Sequence, residues 1–442
     1  MTINSRKAIV AGIIGNTIEW YDFALYGHFS LIIGQTFFPE EAPELATLAA
    51  FAVFSVSFFM RPLGALIFSH IGDRYGRKKA LSLSMLGMAI PTFGIGLLPA
   101  FHDIGLAATL LLICLRLFQG LALGGEMGGA VTYIMEHTPR ARIGLASSLI
   151  QASTCLGLLA GTVISSLISL TLTESEFQAW GWRAPFLLGL LAAWIGLRIR
   201  RNMPESTLYE NAKAEDRLHK SPIRTLLRSH KGKIVTGLIL LIPMTFSFFF
   251  AFVYYNSFMM GQLHFPVRQA LMTTSAGLLL SLAVTIGSGW LADRVGYKRL
   301  LVVGAILLLA GALPMTRMLS GGQSEAEVMS GLLVFAVLIG VYTSAAFAAV
   351  AGLFTTELRY SGVSFAINIA SPVFGSTAPL LAAWLIHDLG VEPGFHVVGY
   401  YLMALCLLAL LAILRLDHAA FDDWNPDSRP ETPDGESIAP EA

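Results

Sequence analysis

Charge is what this sequence has least of. Only 13% of its 442 residues are Asp, Glu, Lys or Arg, against about 25% in an ordinary soluble domain. That is too few to coat a soluble surface, while 55% of the residues are hydrophobic and mean hydropathy is +0.66. Cysteine is scarce as well. Cys114, Cys155 and Cys406 all fall inside apolar runs, which excludes an extracellular disulfide framework. The chain has no His/Cys/Asp/Glu cluster at metal-ligand spacing, no nucleophile elbow and no glycine-rich phosphate loop. A membrane enzyme would need one of these, so no catalytic residue, metal or cofactor is expected. Net charge is zero and by itself says nothing about nucleic acid, and no nucleic-acid partner is expected.

Long apolar runs are what the chain has instead. A bilayer crossing needs about 20 residues, and runs of that order fall near 8–38, 47–71, 80–99, 105–136, 144–171 and 183–200, then 234–262, 269–291, 300–319, 329–355, 362–387 and 396–416. The expected fold is therefore an all-α polytopic membrane protein with twelve transmembrane helices. Residues 1–200 form a first six-helix bundle, 201–233 a basic linker, 234–416 a second six-helix bundle, and 417–442 an acidic, Pro-rich, disordered tail. Within the linker, Ser206 to His219 can form a surface helix beside anionic headgroups or a solvated connection. Arg74, Arg77, Lys78, Lys79, Arg140, Arg142, Arg294, Lys298 and Arg299 lie in one set of connections, whereas the opposite set holds Glu40, Glu41, Glu44, Asp103 and Asp388. The positive-inside rule makes the first set, and both termini, cytoplasmic.

The first run contains Gly15-Asn-Thr-Ile-Glu-Trp-Tyr-Asp-Phe-Ala-Leu-Tyr-Gly27. A carboxylate at mid-bilayer costs about 2.5–3.5 kcal/mol on insertion scales, yet Glu19 and Asp22 are both present. At about 100° per residue, Asn16, Glu19, Asp22 and Tyr26 make one polar stripe that must face other helices or a watery cavity. Such acids mark a substrate or proton path, or else tie neighbouring helices together.

Further along, Arg61 sits inside the second run ahead of Pro62, and Arg116, Gln119 and Glu126 share the fourth. The last three can border one cavity. A buried guanidinium can grip a substrate carboxylate bidentately or form an internal ion pair with Glu19, Asp22 or Glu126. Asp22 and Glu126, with Glu19, are the candidate proton-coupling acids. Gly120, Gly124 and Gly128 make a small-residue face for close helix packing. Mid-helix charge is almost absent from the second half. There, Tyr254, Tyr255, Asn256 and Asn368 are the candidates for orienting a substrate by hydrogen bonding and aromatic contact.

Two motifs repeat. Gly72-Asp-Arg-Tyr-Gly-Arg-Lys78 returns as Ala292-Asp-Arg-Val-Gly-Tyr-Lys298, with Asp73 and Asp293, and Gly76 and Gly296, 220 residues apart. Glu136 returns as Glu357 at an offset of 221. Two pairs at nearly one offset indicate duplicated halves in parallel orientation. The glycines permit tight turns, and the aspartates can accept backbone N–H bonds at a helix start. Arg77 can bridge to Glu136 and Arg299 to Glu357, so Asp73, Arg77, Glu136, Asp293, Arg299 and Glu357 form a candidate cytoplasmic gate.

These loops resemble the signature of the major facilitator superfamily, with Ser69 standing where that family usually has glycine. Gly15-Asn-x-x-Glu-Trp-Tyr-Asp-Phe, Phe59-Met-Arg-Pro-Leu-Gly64 and Arg116-x-x-Gln-Gly-x-x-x-Gly-Gly-Glu126 narrow the resemblance to its metabolite:proton symporters, among them carriers of proline/betaine, 2-oxoglutarate, shikimate and citrate. The resemblance implies two pseudo-symmetric six-helix bundles, alternating access and uptake driven by a proton gradient. The expected protein is a monomeric symporter in lipid, importing a small carboxylate-bearing metabolite with protons across the bacterial cytoplasmic membrane. The alternative is a proline/betaine-type osmolyte carrier, without the coiled-coil tail of osmosensing members.

Overall fold

The computed structural model describes residues 3–38, 43–219, 222–321 and 324–416. The acidic tail 417–442 and the residues Glu40 and Glu41 lie outside the described residues. Among those described, every regular element is helical.

Twelve long helical segments account for the apolar runs. They are α1 (Ile3–His28, resuming as Ser30–Phe37), α2 (Pro43–Tyr75), α3 (Arg77–Leu97), α4 (Leu106–Glu136), α5 (Ile143–Thr171) and α6 (Arg183–Arg201). The second set is α7 (Lys231–Phe249, continuing through a π turn, Phe250–Tyr254, into Tyr255–Gly261), α8 (Val267–Val295), α9 (Tyr297–Gly321) and α10 (Glu325–Ala351). It ends with α11 (Thr356–Ala370, a π turn at Ser371–Gly375, then Ala378–Leu389) and α12 (Val391–Leu414). By length and apolarity, ten of the described helices qualify as membrane spans, and α1 and α2 complete the twelve. Large apolar side chains cover the outside: Phe59, Ile90, Phe118 and Leu380 are each more than 60% exposed. A soluble monomer rarely shows such a continuous apolar surface, whereas lipid solvates it.

Helices α1–α6 pack as one bundle and α7–α12 as the other, meeting where α2 and α4 cross α11 and where α5 lies against α8 and α10. The glycine face of α4 makes this close packing possible. A Cβ at Gly124 would press on the backbone of α2, and one at Gly128 on Ser364 of α11. Between the bundles, Ser206 caps the short helix Thr207–Ala214 by accepting from the Tyr209 backbone N–H at 3.2 Å, and a second short helix, Pro222–Ser229, follows.

Candidate functional site: buried ion pairs between two helical bundles

The polar stripe of α1 is buried, and its members are shared among three neighbours. Asn16 Nδ2 donates to Ser153 Oγ (2.7 Å), Thr154 Oγ1 (3.1 Å) and the Ile150 carbonyl (3.2 Å) of α5. Glu19 accepts from Arg61 Nη2 of α2 at 3.1 Å. Asp22 accepts from Gln119 Nε2, which also donates to Thr92 Oγ1 of α3 at 2.8 Å. Arg116 donates to the other end of the Gln119 amide, lies 3.8 Å from Asp22, and covers the Tyr26 ring at 3.8 Å. These bonds supply what a membrane interior demands of buried charge, a partner of opposite sign or a hydrogen-bonding dipole.

Arg61 also reaches across the interface. Its Nε donates to Asn368 Oδ1 of α11 at 3.0 Å, while Asn368 Nδ2 donates to the Gly124 and Ser364 carbonyls, each at 2.8 Å. At mid-depth, a titratable pair in the first bundle is thereby tied directly to the second.

Glu126 departs from expectation. It stands apart from Arg116 and Gln119 and pairs with both terminal nitrogens of Arg200 on α6, and it accepts from Ser84 Oγ at 2.6 Å. Seven residues separate Gln119 from Glu126, about 10 Å along the helix, so sharing a face does not mean sharing a cavity. Arg200 is the penultimate residue of α6, next to the basic linker, yet it is buried. Gly15 of α1 leaves room for the pair, because any Cβ there would strike both Arg200 and Glu126. Tyr254, Tyr255 and Asn256 also depart from the expected site. Tyr254 stacks on Phe250, Tyr255 donates to the Leu319 carbonyl at 3.1 Å, and Asn256 accepts from Thr274 at 3.0 Å, all within the second bundle. Asn368 alone of the second-half candidates meets the buried arginines.

The two duplicated loops lie at one end of the molecule, the basic-loop end. Arg77 is fully buried there. It pairs with Asp73 (3.1 Å), donates to both Glu136 oxygens (3.2 Å each), and donates to the carbonyls of Gly72 and, across the interface, Thr356 (2.6 Å each). Arg359 of α11 reaches Glu136 at 3.2 Å from the other side. Asp73 accepts from the Ser361 backbone N–H of α11 at 3.0 Å and from its hydroxyl. In the second copy, Asp293 of α8 accepts from the backbone N–H groups of Gly144 (2.7 Å) and Leu145 (3.3 Å) at the start of α5. Asp293 thus bonds the first turn of a helix in the opposite bundle, whereas Asp73 meets α11 at its sixth residue, past the free N–H groups of the helix start.

Arg299 does not meet Glu357. It is exposed, and Arg217 of the linker donates to Glu357 instead. The residue matching Arg77 at the repeat offset is Tyr297, so the second loop lacks the guanidinium that organises the first. Glu205, also from the linker, caps α3 by accepting from the backbone N–H groups of Arg77 (3.0 Å) and Lys78 (3.3 Å). Gly76 makes room for it: φ is +110° there, and a Cβ would collide with the Glu205 carboxylate. Burial raises the Glu205 pKa, opposed by the N–H donors and the nearby Arg77 charge.

Between the bundles, about halfway along their length, lies a narrow cleft bordered by α1, α4, α5, α7 and α11. Trp20, Gln151, Thr154, Phe248, Phe249 and Ser371 line it together with aliphatic side chains. None of the candidate arginines or acids is among its lining residues.

The Major Facilitator Superfamily profile matches this sequence over residues 23–371 and 258–437. The inner membrane metabolite transport protein YhjE of Escherichia coli (strain K12) is 37% identical, over 93% of this chain and 94% of that one. The glycine betaine/proline/ectoine/pipecolic acid transporter OusA of Dickeya dadantii (strain 3937) is 33% identical, over 94% of this chain and 84% of that one. The solved structure of the proton:xylose symporter XylE, bound to 6-bromo-6-deoxy-D-glucose, superposes with a TM-score of 0.80. It covers 93% of this chain and 96% of that one at 14% identity, a likeness of fold.

Proposed function

This chain belongs to the major facilitator superfamily, and on that premise we propose that it is a proton-coupled symporter importing a small carboxylate-bearing solute across the bacterial cytoplasmic membrane. The basic-loop end is the cytoplasmic face, both termini lie there, and the protein works as a monomer in lipid. The conformation described is closed on that side.

One observation carries the reading: the Glu19–Arg61–Asn368 chain crosses the bundle interface at mid-depth. Rocking the bundles apart breaks the Arg61–Asn368 bond, and protonating Glu19 removes the charge that holds Arg61. A proton and a conformational change therefore act on one element, as linkage between two sites requires. Asp22 is the second acid of the path. Its partner Gln119 is neutral and Arg116 stands 3.8 Å away, so its charge is balanced less tightly than that of Glu126. Substrate entry from the opposite face, closure, and release after the cytoplasmic cluster parts complete the cycle.

A second reading of the substrate, a proline/betaine-type osmolyte, draws support from OusA and from the proline/betaine transporters 32% identical to this chain. Proteoliposomes with an imposed inward proton gradient test the proposal, using labelled carboxylates and betaines. Asp22→Asn and Glu19→Gln should each abolish accumulation. Uptake indifferent to the gradient, or full accumulation by both variants, would overturn proton coupling.

A further inference from the structure

A crevice of about 400 Å³ opens between the last turn of α3 and the first turn of α6. It lies at the end of the molecule opposite the basic loops, since α3 begins and α6 finishes at those loops. Its volume falls within the range of about 300–1,000 Å³ usual for ligand pockets. Leu97, Pro99, Trp180, Ala184 and Leu187 line it, and Arg183 is the one ionisable group among its lining residues. The floor is closed, because a Cβ at Gly96 would come within 2.9 Å of Leu187. Leu97 and Trp180 are each more than half exposed, as are Ile90 on α3 and Leu191 on α6. The crevice therefore opens on the apolar surface that lipid solvates. Its depth follows from helix length. Nineteen residues of α6 at about 1.5 Å each put Arg183 roughly one hydrocarbon thickness from the basic end, at headgroup level. Trp180 and Trp182 beside it are the aromatic residues that gather at that level.

Arg183 is half-buried and only partly used. Its Nη1 donates to the Leu98 carbonyl at 2.7 Å and the Gly96 carbonyl at 3.4 Å, capping the end of α3. The guanidinium also lies 4.6 Å from the Trp182 ring. Nε and Nη2, the side-on edge of the fork, make no hydrogen bond among the described residues, and no carboxylate among them pairs with it. Asp103 is the acid whose charge reaches it from a distance, and its oxygens are engaged by the Ala100 N–H at 3.0 Å and His102 at 3.1 Å. A π turn, Phe177–Gly181, brings Trp180 to the crevice just before α6. Such turns occur most often at functional sites. Apolar walls offer water too few partners to fill the space. A cation with a free two-pronged donor edge beside those walls matches a phosphodiester above a hydrocarbon chain, charge to charge and apolar to apolar. We propose that the crevice is a discrete phospholipid site. Arg183 Nε and Nη2 donate to the two non-bridging oxygens of the phosphodiester, and the upper part of one acyl chain fills the space between Leu97 and Leu187. The lipid thereby joins the end of α3 to the start of α6. This assignment needs only a chain in a bilayer and does not depend on what the chain carries.

The test is amide hydrogen exchange of the purified full chain in maltoside micelles. The probes are palmitoyl-oleoyl phosphatidylglycerol, the diacylglycerol with the same two chains, and inorganic phosphate. Phosphatidylglycerol should slow exchange at least about 5-fold in residues 97–104 and 177–184, which border the crevice. Diacylglycerol has the chains without the charge, and phosphate the charge without the chains, so neither should reproduce that protection. Ala184→Trp fills the crevice while keeping Arg183, and should abolish the effect of phosphatidylglycerol. Leu191→Trp, on the lipid-facing side of the same helix, should leave it intact. Arg183→Lys keeps the charge but loses the fork, and should raise the lipid concentration needed for half-protection at least about 5-fold. The comparison of probes needs no variant and stands even if one fails to fold. Equal protection by diacylglycerol would overturn the phosphodiester contact, and equal protection by phosphate would overturn the acyl contact. No protection by phosphatidylglycerol, or protection unchanged in both Ala184→Trp and Arg183→Lys, would overturn the site itself.

Discussion

The two copies of the duplicated loop can be compared position by position. Both place an aspartate against backbone N–H groups in the opposite bundle, Asp73 on Ser361 and Asp293 on Gly144 and Leu145. Beyond that shared bond they diverge. The first loop centres on the buried Arg77, which serves Asp73, Glu136 and two carbonyls. The second has Tyr297 at the matching position, leaves Arg299 exposed, and relies on Arg217 of the linker to reach Glu357. A repeat thus preserves a backbone-directed bond, which depends on local geometry, more readily than an ion cluster, which needs every member in place. The cluster at the basic-loop end is therefore asymmetric, with buried charge on one side and a half-exposed tether on the other.

The largest effect should come from Arg77→Ala. It leaves Asp73 and Glu136 buried with reduced compensation, and breaking a buried pair by removing one partner costs about 3–5 kcal/mol. Tyr297→Ala strands no charge and should cost about 1 kcal/mol, the centre of ordinary substitutions. Thermal unfolding in detergent would compare the two, and equal losses would mean that the loops are energetically alike after all.

Asp73→Asn and Asp293→Asn should come next. Each weakens a cross-bundle bond from backbone N–H groups to a carboxylate, of the charged kind worth about 1.5–3 kcal/mol, with the larger loss at Asp73 because Arg77 also loses a counter-charge. Distances between spin labels on the basic-loop ends of α4 and α10 should shift toward open forms in both variants, further in the first. Unchanged distributions would leave the loops as determinants of orientation only.

A smaller change is expected for Arg217→Ala. The guanidinium is about half exposed, so its pair with Glu357 should be worth about 0–1 kcal/mol and fade by about 1 M salt. A salt-independent loss in the same label distances would show that the tether is more buried than its exposure indicates.

The smallest effect belongs to Glu205→Gln, and it is best read as pH dependence. Because the folded pKa of Glu205 is raised, the folded form holds the proton more tightly than the unfolded chain does. This contribution to stability is present below the usual glutamate value of about 4.3 and is lost as pH rises through the folded value. Wild-type stability should therefore decline over that window relative to Glu205→Gln, measured as melting temperature against pH. A rise instead would mean that the N–H donors of α3 and Arg77 outweigh burial.

Sequence alone determined the features that follow from solvent. In a bilayer, backbone groups must bond within their own helix, so twelve apolar runs dictate twelve helices, and the matched offsets dictate two related bundles. Helical spacing likewise placed Asn16, Glu19, Asp22 and Tyr26 on one buried face of α1. What it could not determine was which charge meets which. Arg200, Arg359 and Arg217 come from helices and linker residues far along the chain from Glu126, Glu136 and Glu357, and a helical wheel carries no information about neighbouring helices. Trp20 and Gln151 were equally hidden, because in sequence an apolar indole and an amide look like packing and interhelical bonding. Only the crossing of α1, α5 and α7 brings them to one cleft, and only the packed structure leaves the Trp20 indole N–H without a partner among the described residues. Partner choice among buried polar groups is decided by how whole helices cross, since that selects the few neighbours each group meets from the dozens the chain offers.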